Sequence, residues 1–383
     1  MKRLGILLVV VLLLGMLPVS VQAQALQVAG KSGLLMDVAT GTVIYESNAH
    51  EKLPPASVTK VMTLLLIMEA IDAGRIGWDD TVTASEAAAA KGGSQIFLKV
   101  GETMSVADMV KSIAVSSAND CACAMAEYIA GSEAAFVEKM NARAAELGME
   151  DTHFVNCTGL DDDDAAKAHV TSAYDIAIMS RELMKNHPDI KKYTTIWMDT
   201  VRNGTFGLAN TNKLVRFYPG ATGLKTGFTS AAGYCLSATA ERDGLELIAV
   251  VMGAESSQDR FNSCKQLLDY GFAGFSLVKP QLDSQNSVRV KLGTAQQVAA
   301  VPAEPVELLV DKAQKGSITT EVTLEEQVTA PVSQGQRLGT LTVKSGEQVL
   351  AQVPMVAQTG VTRLGWGDLF TIVLRRIAMA AQQ

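Results

Sequence analysis

Ser57 and Lys60 stand three positions apart in the run Ala56-Ser57-Val58-Thr59-Lys60, which on a helix puts a hydroxyl and an amine on one face. A serine hydroxyl is inert at neutral pH until a neighbouring group takes its proton. Lys60 is the base in reach, yet a free lysine with a pKa of about 10.4 would hold its own proton. Burial, the N-terminus of a helix and a second cation would each lower that value, and Lys225 is the cation the sequence offers. The same helix end would favour negative charge developing at Ser57.

Two further groups follow in order, Ser117-Ala118-Asn119 and Lys225-Thr226-Gly227. S-x-x-K and S-x-N each arise about once by chance in a chain of this length, and K-T-G in roughly one chain in twenty. The ordered trio is therefore far more specific than any member. It offers a nucleophile and a base without any histidine.

The elements that would hold these residues are legible from punctuation and period. Gly33–Asp37 and Gly41–Tyr45 read as strands joined by Ala39-Thr40-Gly41, and Pro54-Pro55 precedes an apolar helix from Val58 to Ala70. Helical patterns run from Met109 to Ile129 and from Ala134 to Leu147, and Ser172-Ala173-Tyr174-Asp175 opens another. Gly233–Thr239 and Leu245–Met252 are strands around an Asp243-Gly244 hairpin turn. Strands at both ends of this region with helices between them predict an α+β domain, an antiparallel sheet with helices on its faces.

Beyond Lys279-Pro280 the texture becomes β-rich, with strands expected at 288–292, 306–310, 318–324, 338–343 and 349–356. This predicts a small all-β domain over 279–360, after a catalytic domain over 26–278. Over 361–383, Trp366, Leu369, Phe370, Val373, Leu374 and Ile377 form one helical stripe with Arg375 and Arg376 outside it. That pattern predicts a C-terminal amphipathic helix lying on a membrane surface.

At the other end, residues 1–25 carry Lys2 and Arg3, an apolar run from Leu4 to Leu17, Pro18, and Ala23-Gln24-Ala25. They read as a secretory signal peptide, which places the rest of the 383-residue chain outside the cytoplasm. A net charge of −7 argues against nucleic acid as a partner. The five cysteines show neither disulfide nor metal spacing and are expected as buried free thiols. The four histidines, His50, His153, His169 and His187, form no zinc-ligand spacing and no triad order, and the acidic run Asp161–Asp164 lacks calcium-loop spacing.

With Pro55–Lys60, Ser116–Asp120, Leu147-Gly148-Met149 through Asn156 to Gly159-Leu160, and Gly223–Thr229 in view, the chain resembles the low-molecular-mass D-alanyl-D-alanine carboxypeptidases. These are serine-type penicillin-binding proteins of peptidase family S11. The resemblance implies a penicillin-binding-protein/β-lactamase-like fold and removal of the terminal D-alanine from peptidoglycan stem pentapeptides, without cofactor or metal. It implies that β-lactams acylate the same serine, and that the enzyme works at the outer face of the cytoplasmic membrane, held there by its C-terminal helix.

By the same resemblance Ser57 is the nucleophile and Lys60 the general base. Ser117 relays a proton to the leaving amine, and Asn119 clamps the substrate backbone. Lys225 and Thr226 hold the substrate's terminal carboxylate, Gly227 lets the substrate lie against the strand, and backbone N–H groups of Ser57 and Phe228 hold the oxyanion. Many relatives have histidine where this chain has Phe228. Arg260 matches an arginine downstream of K-T-G, with carboxylate binding and a structural salt bridge both open.

Other readings share parts of this pattern. A class A β-lactamase would need a glutamate-bearing E-x-x-L-N loop between Asn119 and Lys225, and none is present. A D,D-endopeptidase of the same fold would share every motif. A catalytically inactive wall-binding protein would be expected to lose the set that is intact here.

Overall fold

The Asp243-Gly244 turn has positive φ at both residues, +52° and +79°, the backbone twist that joins two strands tightly. It connects the two longest strands of a five-stranded sheet. In chain order the strands are β1 (Ser32–Asp37), β2 (Val43–Ser47), β3 (Ala221–Thr229), β4 (Gly233–Arg242) and β5 (Leu245–Ala254). Their spatial order is β2-β1-β5-β4-β3, every pairing antiparallel. The computed structural model describes residues 26–162, 164–280, 286–368 and 370–371.

The period-2 alternation of β5 divides the core between the two faces of the sheet. Ile248, Val250 and Met252 join the larger apolar cluster, under the helices inserted between β2 and β3. Leu247, Ala249 and Val251 join the smaller one, against Leu267, Leu268 and Phe272 of the helix after β5. The catalytic domain is thus a sheet between two helical layers, the α+β arrangement expected.

The inserted helices are α1 (Lys60–Asp72), α2 (Val106–Ser116), α3 (Asn119–Ala130), α4 (Glu133–Glu146) and α5 (Ala173–Asn186), and α6 (Ser257–Gly274) follows β5. α1 is apolar all round and buried along nearly its whole length, as a central core helix must be. A 3-10 turn, Ala56–Thr59, leads into it. Ser105, Ser132, Ser172 and Ser256 cap α2, α4, α5 and α6 through their hydroxyls.

One helix expectation is corrected. The apolar period from Met109 to Ile129 is continuous, yet the helix breaks at Ser117, whose φ is +63°. The next helix begins at Asn119, whose backbone N–H donates to Ser94 O instead of continuing the ladder. Hydropathy does not register such a break because both halves face the same core.

The second domain contains a six-stranded sheet over its own apolar cluster, including Val288, Leu341, Val343 and Met355. Two of its strands were not anticipated. Gln297–Pro302 is rich in alanine and ends in proline, and Gln327–Thr329 is only three residues long. Phe275–Val278, at the end of the catalytic domain, pairs with Leu308–Asp311 and ties the two domains together.

The signal-peptide expectation lies outside the described residues. So does most of the C-terminal amphipathic stripe, including Leu369, Val373, Leu374 and Ile377. Of the part described, Trp366 and Phe370 are exposed. Among the described residues no helix is long and apolar enough to cross a membrane.

Candidate active site

The three motifs converge at one end of α1. Lys60, first residue of that helix, reaches back over the 3-10 turn and places Nζ 2.9 Å from Ser57 Oγ. The amine also donates to Thr158 O at 2.8 Å. Lys60 is fully buried, and burial lowers its pKa to about 7, against the opposing pull of Cys157 and Asp120. An amine with that pKa is neutral often enough at physiological pH to take a proton from a serine.

Lys225 is also fully buried, on β3, with Nζ donating to the carbonyl of Thr226 at 2.9 Å. Its amine is lowered well below the usual lysine range, first by burial, then by Lys60, then by Arg260. Desolvation is thus the first cause at both amines, and repulsion between the two adds to it. The two amines are neighbours.

Ser117 and Asn119 flank the helix break, and both are buried. Asn119 Nδ2 donates to Gly92 O at 2.7 Å, which orients the amide. Ser117 Oγ and Asn119 Oδ1 have no hydrogen-bond partner among the described residues. Buried polar atoms are nearly always paired, so two orphans within one motif mark a surface built to meet a ligand. Asp120 fixes the wall beside them, its carboxylate accepting from the N–H groups of Ile96, Leu98 and Cys121.

On the opposite wall, Thr226 Oγ1 donates to Thr211 Oγ1 at 2.7 Å. Gly227 runs against the turn that bears Ser57: a β-carbon there would lie 2.6 Å from Pro55 O and 3.1 Å from Ser57 N. Only glycine allows that approach. Phe228, the next residue, is 53 % exposed and packs on Tyr234 with ring centroids 4.3 Å apart.

Arg260 is placed behind β3 and not on an open wall. It is 8 % exposed, donates from Nη1 to Gly227 O at 2.8 Å and to Cys235 O at 3.3 Å, and lies over the Tyr234 and Phe261 rings. Of the two openings the sequence left, carboxylate binding and a salt bridge, the contacts match neither. The guanidinium holds backbone carbonyls of the K-T-G strand and its hairpin partner.

Several residues that shape the site carry no catalytic signature. Thr158 supplies the carbonyl that holds Lys60, and Asn156 Oδ1 accepts from the N–H groups of Thr158 and Gly159 to set that loop. Thr211 carries Thr226, and Thr59 and His169 lie beneath the nucleophile turn. Asn156 and Gly159 lie within the stretches that carry the family resemblance, whereas His169 lies outside them.

No acidic side chain lies on residues 156–160 next to Lys60, and of the acidic run that follows, Asp161, Asp162 and Asp164 are exposed. A possible cation cluster, Glu69, Glu182 and His187, sits at the far end of α1. Arg143 already pairs with both of its glutamates at 2.7 Å, and His187 with Asp72. The five cysteines are free and buried.

A serine beside a lysine of lowered pKa, backed by a second lysine and two orphaned acceptor or donor atoms, on a sheet between helical layers, defines a penicillin-binding serine hydrolase. Residues 19–256 match the peptidase S11 family, D-alanyl-D-alanine carboxypeptidase, and residues 275–363 match the C-terminal domain of penicillin-binding protein 5. The chain belongs to the S11 family of D-alanyl-D-alanine carboxypeptidases.

Among its relatives is D-alanyl-D-alanine carboxypeptidase DacF of Bacillus subtilis, 43% identical over 342 residues, covering 88% of this chain and 87% of that protein. Penicillin-binding protein 5 of Haemophilus influenzae superposes with a TM-score of 0.75 at 29% identity, covering 88% of this chain and 98% of that one. Penicillin-binding protein D2 of Listeria monocytogenes, in its ampicillin-bound form, does so with a TM-score of 0.57 at 33% identity, covering 65% of this chain and all of that one.

Proposed function

We propose that this carboxypeptidase removes the terminal D-alanine from peptidoglycan stem pentapeptides through an acyl-enzyme on Ser57. The observation that carries the assignment is the 2.9 Å contact between Ser57 Oγ and a Lys60 amine whose pKa is about 7. Neutral Lys60 takes the Ser57 proton as Oγ attacks the penultimate carbonyl. The oxyanion is held by the N–H groups of Ser57 and Phe228. Ser117 passes the proton to the departing D-alanine nitrogen as the C–N bond breaks. Water then attacks the ester, Lys60 again serving as base, and Ser57 recovers its hydrogen.

Asn119, its Nδ2 already committed to Gly92, offers Oδ1 to a substrate N–H. Lys225 and Thr226 recognise the terminal carboxylate, and Gly227 admits the substrate as an added strand. Arg260 acts on the same site through the Gly227 carbonyl. Penicillins place a strained amide where the D-alanyl-D-alanine bond would lie and so acylate Ser57. The ampicillin complex of the Listeria relative supports that reading.

We further propose that residues 1–25 direct export and that the C-terminal stripe holds the enzyme on the outer face of the cytoplasmic membrane. Trp366, 90 % exposed, is the described residue that favours it.

The test is to incubate the protein with a peptide ending in D-alanyl-D-alanine and measure free D-alanine. Release by wild type and none by Ser57→Ala supports the assignment. No release by wild type, or undiminished release by Ser57→Ala, refutes it. For the anchor, deletion of 361–383 should move the enzyme from the membrane fraction to the soluble one.

A further inference from the structure

The backbone just before the nucleophile sits where an alanine rarely goes. Ala56 has φ +49°, in the left-handed region that residues with a β-carbon avoid. Such a conformation persists only where the surroundings over-determine it. The surroundings act here on the Ala56 carbonyl.

Thr59 Oγ1 donates to Ala56 O at 2.8 Å, and the same oxygen lies 2.8 Å from His169 Nε2. Across the ring, Val155 N–H donates to His169 Nδ1 at 3.1 Å. An amide N–H can only donate, so Nδ1 is bare and the neutral ring carries its hydrogen on Nε2. Nε2–H therefore donates to Thr59 Oγ1, which leaves the threonine hydrogen for Ala56 O. Every bond in the chain from Val155 through His169 and Thr59 to Ala56 then has one direction.

The neutral imidazole is the form this place imposes. His169 is 3 % exposed and has its pKa lowered to about 4, by burial first, then by His153 and Lys60. Lys60 faces it from α1 and His153 from the chain ahead of its loop. A second proton on Nδ1 would confront the Val155 N–H with another donor.

We infer that Thr59 and His169 are positioning residues for acylation, which lock the Ala56 carbonyl and so hold the left-handed turn that aims Ser57 Oγ. The inference rests on the reading that Ser57 is the acylated residue. Neither side chain touches substrate. They act on the rate through the backbone of the turn.

Two pairs of variants test this in the full-length protein. Thr59→Val keeps the shape and loses the hydroxyl, whereas Thr59→Ser keeps the hydroxyl. His169→Phe fills the space without polar atoms, whereas His169→Gln can offer an N–H to Thr59 and an oxygen to Val155. The measurement is the rate constant of acyl-enzyme formation with a fluorescent penicillin. It is read from the exponent of the progress curve, so that an unfolded fraction lowers only the amplitude.

Thr59→Val and His169→Phe are expected to slow acylation about 100-fold, the scale of a ~1 Å misplacement of a reacting atom. Thr59→Ser and His169→Gln should stay within about 5-fold of wild type, because the hydrogen-bond chain survives. A merely structural role would not be rescued by hydrogen-bonding capacity alone. Wild-type rates in Thr59→Val and His169→Phe overturn the inference. A wild-type enzyme that forms no acyl-enzyme at all overturns instead the assignment of Ser57.

Discussion

Gly159 lies directly against Ala56: a β-carbon on the glycine would sit 1.9 Å from the Ala56 carbonyl oxygen and 2.6 Å from Thr59 Oγ1. The loop that supplies Thr158 to Lys60 and the turn that presents Ser57 are thus pressed backbone to backbone. Gly159 also has φ +81°, so the position excludes a side chain twice over.

Gly159→Ala should therefore disturb the nucleophile and its base together. Acylation is expected to fall at least about 100-fold, with a stability loss of about 1–3 kcal/mol from overpacking. Acylation kinetics with a fluorescent penicillin and a denaturant titration measure the two effects. A variant that keeps wild-type acylation would show that the two segments are independent.

In the proposed mechanism Lys60 acts as a neutral base, so the rate of acylation should rise with pH through about 7 and level off above it. The apparent pKa belongs to Lys60 and Lys225 jointly, since the two amines interact. Lys60→Gln should lower acylation by about 10²–10⁴-fold, the usual contribution of a positioned base. A flat wild-type profile between pH 5 and 9, measured by single-turnover kinetics, would contradict a lysine base.

His169 carries a stability signature with a definite sign. Its folded pKa, about 4, lies below the ordinary value of 6.5, so at intermediate pH the unfolded chain binds the extra proton. Stability is complete above pH 6.5 and falls as pH drops from there towards 4, by on the order of 3 kcal/mol. His169→Gln should lack this component of the acid loss in a pH series of chemical denaturation. Parallel curves for the two proteins would count against a buried neutral imidazole.

Arg260→Met should weaken the site without changing which end of the substrate it reads. Gly227 O and Cys235 O would lose a buried charged donor, a cost of about 1–3 kcal/mol. If Arg260 bound the substrate carboxylate, the variant would lose discrimination between peptides ending in D-alanine and in D-alanine amide. The contacts predict that discrimination is kept while turnover of both falls. Competition kinetics with the two peptides decides between them.

Five free, buried thiols predict a protein indifferent to reductant. Its melting temperature with and without dithiothreitol should agree within about 2 °C, since a lost native disulfide would cost about 2–5 kcal/mol. A large drop would reveal a bridge.

Much of the chemistry was legible because its residues are rare in combination. Ser57, Lys60, Ser117, Asn119 and Lys225 could be read in order, and their convergence follows from packing α1 against α2, α3 and β3. What could not be read is what acts through the backbone. The break at Ser117 is silent in hydropathy, because apolar residues continue on both sides. Arg260 looks in sequence like an anion binder, and only the fold reveals the Gly227 carbonyl in its way. Thr59 lies inside the first motif as a spacer, and His169 has no spacing to anything until the loop folds over α1. In the β domain, Gln297–Pro302 lacks the β-branched run that announces a strand, and its pairing comes from neighbours on both sides.

Asp120 anchors the wall of the site that carries Asn119. Its carboxylate ties Ile96 and Leu98 to the first turn of α3, while Asn119 N–H ties Ser94 to the same turn and Arg202 grips the Ile96 and Phe97 carbonyls from outside. The loop 94–98 and Asn119 are therefore held together by one set of hydrogen bonds. Phe97 and Asn119 are thus joined through Asp120, Ser94 and Arg202, so a substitution that breaks the Asp120 carboxylate contacts would loosen both at once.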